Sequence, residues 1–124
     1  MKISFYLNKH LPLILWCAFI YYLSSISKTA DIGPTYWTNF IAKKSAHLVE
    51  YAILAFLSYR SFNKSKLLTL IFTLLYAVSD EWHQQFIPFR ESRIRDILID
   101  QVGALLGLCL IKYIPPKIRQ RLLV

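Results

Sequence analysis

Charge is scarce in this sequence, and negative charge scarcest. Of 124 residues only 18% are charged, and seven acidic side chains stand against fifteen basic ones, for a formal net charge of +8. A soluble domain of ordinary composition is about 25% charged and about 45–50% apolar. This chain is 56% hydrophobic with a mean hydropathy of +0.40. At this length it has no room for a separate soluble catalytic module or an ordinary nucleotide-binding fold. The two cysteines, Cys17 and Cys109, lie inside apolar runs and far from any C-x-x-C pattern, so they read as small buried hydrophobes. No G-x-S-x-G, P-loop or H-E-x-x-H signature is present, nor any internal repeat or low-complexity segment. The basic residues sit in short clusters between apolar runs, which is how membrane loops read and argues against nucleic acid as a partner.

What remains is apolar sequence of membrane-span length. His10 to Ser27 runs 18 residues without Lys, Arg, Asp or Glu, close to the roughly 20 helical residues that cross a hydrocarbon core about 30 Å thick. Ser24-Ser25-Ile26-Ser27-Lys28 matches an A-x-A cleavage site poorly, so this run is expected to be a retained helix with Pro12 in its first turn. The fold class expected is all-α. Residues 1–124 form one polytopic transmembrane domain, a four-transmembrane-helix bundle with short loops and helices at about 9–27, 44–61, 67–85 and 96–114. Residues 28–43 are expected to form a loop whose Tyr36, Trp37 and Phe40 suit headgroup depth. Nine Lys and Arg fall at residues 1–10, 60–66 and 112–124, and six in the other two loops. That bias predicts a multi-pass cell-membrane protein with both termini cytoplasmic.

On this topology the ionisable residues gather on one side, which is extracytoplasmic if the termini are inside. His47, Glu50 and Tyr51 share a face by i, i+3, i+4 spacing, as do Asp80, His83 and Gln84, with Glu81 adjacent. Asp96, Asp100, Gly103 and Gly107 follow one stripe, and the paired glycines form a small-xxx-small pattern that admits a neighbouring helix. Ionisable groups at membrane depth usually face the interior and mark function. A His beside a carboxylate can share general acid–base work. Lys44, Arg90, Arg93 and Arg95 around the rim suit an anionic group such as a phosphate. A divalent cation could also sit among the acids and histidines, but no ligand spacing marks one, and neither metal nor cofactor is assigned. The purely structural alternative is a salt-bridge web, with Asp96 on Arg93 or Lys44 on Asp80.

Three blocks in these regions resemble the VanZ-like family of bacterial membrane proteins: Lys44-Ser-Ala-His47-Leu-Val-Glu50-Tyr51, then Asp80-Glu81-Trp-His83-Gln84-Gln-Phe-Ile-Pro88-Phe-Arg90, then Asp96-Ile-Leu-Ile-Asp100-Gln-Val-Gly103-Ala-Leu-Leu-Gly107. The resemblance covers residues 43–107 closely. Phe89 stands where glycine is common, and Asp100 where asparagine is common, which adds a negative charge to the set. The family takes its name from a member linked to teicoplanin resistance, so the resemblance implies an envelope-associated function and possible effects on glycopeptide susceptibility.

The reading that follows is an outer-face pocket that binds or processes an anionic lipid-linked envelope component, with membrane lipids or such a precursor as partners. As an enzyme it would use Glu50, Asp80 or Glu81 as acid or base, with His47 and His83 assisting. Lys44, Tyr51, Gln84, Arg90, Arg93, Asp96 and Asp100 would hold the substrate. The alternative is a non-enzymatic membrane protein that binds a lipid or partner and alters surface access. A transporter ranks third, because no repeat supplies alternating-access machinery.

Overall fold

The computed structural model describes residues 2–26, 34–88 and 92–124, and among these residues it contains helices and no strand. In chain order the helices are α1 (Lys2–Ser25), α2 (Tyr36–Ser61), α3 (Lys66–Gln84), α4 (Ile94–Leu110) and α5 (Pro116–Leu122), with a 3-10 turn at Ile111–Tyr113 between the last two.

Three boundaries differ by four or more residues from those expected. α2 begins at Tyr36 rather than near residue 44, so much of the expected loop is helix. Thr35 explains this: its extended backbone and side chain cap the helix by accepting from the Thr38 N–H, and Thr38 answers with its own hydroxyl on the Thr35 N–H. That reciprocal pair satisfies donors that an uncapped helix start leaves orphaned. α1 begins at Lys2, which moves Pro12 from a first turn to the helix interior. An interior proline has no N–H for the carbonyl four residues earlier, here that of Asn8. The Arg60 guanidinium donates to that carbonyl at 3.1 Å, closing the gap from α2. At the other end, α4 gives way to the 3-10 turn at Ile111, ahead of Pro115-Pro116.

Helix directions alternate. α1 and α3 run parallel, with the Tyr76 hydroxyl donating to the Cys17 carbonyl at 2.6 Å and Gln84 reaching Ser24 at 3.2 Å. α2 and α4 also run parallel, and they touch. A Cβ on Gly103 would lie 2.6 Å from the Leu48 carbonyl oxygen, and one on Gly107 would lie 2.5 Å from that of Ala52. Only glycine allows that approach.

Inside the bundle, apolar clusters around Leu13, Ile20, Leu54 and Ala77 and around Ala55, Ala104, Leu108 and Ile111 lie beside buried polar groups. Its interior includes Asp80, Glu81, Gln84, Asp96, Asp100, Thr69, Thr73 and Ser58. Its surface carries Phe5, Leu15 and Phe19 of α1, Leu67, Leu75 and Trp82 of α3, and Leu98, Leu105 and Leu110 of α4. Soluble monomers rarely expose contiguous apolar surface of this extent. Among the described residues α1 is the one helix that is by itself long and apolar enough to cross a membrane.

Gly107→Ala should force α2 from α4 and cost about 1–3 kcal/mol, the usual penalty for overpacking. Leu105→Met, on the exposed face of the same helix, should be nearly neutral. Thermal unfolding in detergent followed by circular dichroism distinguishes the two, and equal melting would refute the close approach.

Candidate functional site

The site is assembled at the end where α1 and α3 finish and α4 begins. α4 meets this end with its N-terminus, and Asp96 occupies its first turn, where the helix dipole favours negative charge. Glu81 of α3 strengthens the same junction: its Oε2 accepts the N–H of Arg93, the residue that opens α4, at 3.2 Å.

Because α2 lies parallel against α4, their polar residues meet in register. Lys44 pairs with Asp96, both largely shielded. One turn deeper, His47 Nδ1 lies 3.3 Å from Asp100 Oδ1 and 3.9 Å from Glu50 Oε2. The Asp100 contact is the closer of the two. The ion pairs thus differ from those of the expected web: Lys44 takes Asp96 rather than Asp80, and Arg95, 4.0 Å away, approaches Asp96 as well.

Two adjoining compartments result. The first is a cavity of about 50 Å³ lined by Ile20, Leu23 and Ser24 of α1, His47 and Glu50 of α2, and Asp80 and Gln84 of α3. It holds a few waters at most, since one water needs about 10–15 Å³ on this measure. Gln84 bridges its walls, donating to Ser24 Oγ at 3.2 Å and Asp80 Oδ2 at 3.3 Å. The second compartment is a carboxylate cluster. Oxygens of Asp80, Glu81 and Asp100 lie within 4.8 Å of one another, and the residues are 5%, 3% and 0% exposed. At an effective dielectric of about 20, each pair of charges at that separation repels by about 3–4 kcal/mol. The Tyr51 hydroxyl is buried beside this cluster with no hydrogen-bond partner.

Most of the expected site residues meet here: Lys44, His47, Glu50, Tyr51, Asp80, Glu81, Gln84, Asp96 and Asp100. His83 does not line the cavity. It turns to α1, with Nε2 3.0 Å from Ser25 Oγ and its ring stacked on Tyr21 at 4.5 Å. The reason is angular: on a helix, Asp80 and Gln84 lie one above the other, while His83 projects to one side of that line. Arg93 contributes its backbone N–H to Glu81 while remaining exposed. Arg90 lies outside the described residues.

A family model described as VanZ/LLP1 matches residues 10–115. The chain belongs to the VanZ/LLP1 family. No curated protein and no solved structure matches it at a significant level. The match extends over α1 to α4, so α1, outside the three motif blocks, is part of the family's shared architecture.

Sequence reasoning missed what α1 brings to the site. Trp16 donates its indole N–H to the Glu50 carbonyl at 3.0 Å, and Ser24 accepts from Gln84. Leu13, Trp16, Ile20 and Ser24 follow a helical stripe. That spacing was the available signal.

The Lys44–Asp96 pair should behave as a coupled unit. A double-mutant cycle with Lys44→Met and Asp96→Asn should give a coupling of about 0.5–3 kcal/mol, the range for residues in direct contact. The same cycle with Arg95→Met should stay below about 0.5 kcal/mol, because that pair is longer and Arg95 is half exposed. Chemical denaturation in detergent reads both, and equal couplings would contradict the arrangement.

Proposed function

We propose that this VanZ-family chain is a multi-pass membrane protein crossing the bilayer with α1 to α4. Its polar end then engages the anionic group of a lipid-linked envelope component from the outer face. The apolar surface carries this reading: large apolar side chains cover the outside, while acidic and amide side chains are buried beside the apolar core. Helix lengths agree. α2, α3 and α4 have 26, 19 and 17 residues, or about 39, 29 and 26 Å at 1.5 Å per residue, against a hydrocarbon core of about 30 Å. The extra turns of α2 carry Tyr36, Trp37 and Phe40, whose rings pack on one another. Lys44 and Arg95 sit over Phe40 at 5.8 and 5.2 Å. Aromatic rings and cations in that combination suit the headgroup zone.

The division of charge supports an anionic ligand at the rim, because Lys44, Arg93 and Arg95 lie above the buried acids. The Lys and Arg excess on the opposite loops orients that rim outward. One observation argues against a serine nucleophile at this end. The hydroxyl near a histidine, Ser25 Oγ, donates to the Tyr21 carbonyl at 2.8 Å and so does not offer its proton to His83. An activated nucleophile needs the opposite arrangement.

Native mass spectrometry of the purified protein in mixed bacterial lipid tests the ligand class. Anionic lipid should be retained by the wild type and bound roughly tenfold more weakly by Arg93→Gln/Arg95→Gln, in line with the loss of charge-assisted contacts. Equal retention would refute the rim. Orientation is read by labelling Ser92→Cys and Lys66→Cys in intact cells, on a Cys17→Ala/Cys109→Ala background. Only Ser92→Cys should react with an impermeant maleimide, and the reverse pattern would place the site on the cytoplasmic face.

A further inference from the structure

We infer that Asp80, Glu81 and Asp100 form the binding site of a hard divalent cation.

Three carboxylates brought within 4.8 Å of one another and almost fully buried are a large concentration of negative charge for a helical interior. Paired or metal-bound carboxylates are the usual resolution, because an uncompensated buried charge is strongly destabilising. Among the described residues the hydrogen bonds leave this cluster under-satisfied. Oδ2 of Asp100 and Oε1 of Glu81 are buried without a hydrogen-bond partner, and Oδ1 of Asp100 faces His47 alone. Asp100 is 0% exposed, so water outside the bundle does not reach it.

A second observation is independent of the acids. Tyr51, from the third helix around the cluster, is fully buried and its hydroxyl lacks a partner. The carboxylates whose fields reach it are Asp100, Asp80 and Glu81. Carboxylate oxygens with a buried phenol beside them form an all-oxygen donor set, which suits Ca2+, Mg2+ or Mn2+ rather than softer metals.

Oxygens within 4.8 Å of one another come within reach of one hard cation, whose ligands stand about 2.0–2.6 Å from it. His47 Nδ1, 3.3 Å from Asp100 Oδ1, flanks the cluster from α2. The adjoining cavity, which shares Asp80, supplies room for coordinating water.

This site does not depend on the lipid reading above, because it is tested with the metal alone. The full chain in detergent, stripped with a chelator, is titrated with Mn2+ and followed by electron paramagnetic resonance, then challenged with Ca2+. Saturable binding near one ion per chain, displaced by Ca2+, is expected. Asp100→Asn and Glu81→Gln should each weaken it at least tenfold, and Asp96→Asn, whose partner is Lys44, should change it less than threefold. Chelation should lower the melting temperature of the wild type and leave that of Asp100→Asn unchanged. Absence of saturable binding by the wild type overturns the site. So does unchanged affinity in either Asp100→Asn or Glu81→Gln, so that one folded variant suffices for the test.

Discussion

The backbones of α2 and α4 run parallel and touch at Gly103 and Gly107, where the carbonyls of Leu48 and Ala52 fill the space a Cβ would need. That contact fixes the register of the two helices that carry most of the site. Given it, Lys44 falls on Asp96 and His47 on Asp100, because residues three to four positions apart repeat on one helix face. α3 then closes over the same end, and its Asp80 and Glu81 have nowhere to go but inward. A slip of one turn, about 5.4 Å, would break every one of these pairs together.

The interior that results buries acidic and amide groups beside an apolar core. Below the site polar contacts continue: Thr73 donates to Gln101 at 3.1 Å, and Gln101 donates to the Leu70 carbonyl at 3.3 Å. In the proposed membrane placement, helices surrounded by lipid gain little from burying apolar side chains, since the lipid is equally apolar. Close backbone packing and interhelical hydrogen bonds contribute instead. The Arg60 donation to the Asn8 carbonyl, freed by Pro12, belongs to the same economy of backbone satisfaction.

Cations and acids are separated by depth. Arg93 and Arg95 stay at the surface and Lys44 near it, whereas Asp80, Glu81 and Asp100 are enclosed. An anionic ligand alone would meet repulsion below the rim, and a cation among the carboxylates would relieve it. The small cavity beside the cluster excludes a bulky group. The large ligand proposed above would therefore meet the rim and the aromatic turns of α2.

The sequence by itself determined the helical class, the position of α3 to within a residue, the inward stripe of Asp96, Asp100, Gly103 and Gly107, and the family. Each of these is written in local periodicity or in short motifs, which survive without knowledge of neighbours. It also held the Thr35 cap that starts α2, but the polar and aromatic residues after Thr35 imitate a loop, and composition outweighed the cap. Tertiary structure alone decided the partners. Lys44 could have reached Asp80 as readily as Asp96 on sequence grounds, and His83 shares its helical turn with Asp80 yet faces Ser25 and Tyr21. Such choices depend on the rotation and depth of one helix against another. Those are set by the glycine contacts and by α1, through long-range packing that no single segment encodes.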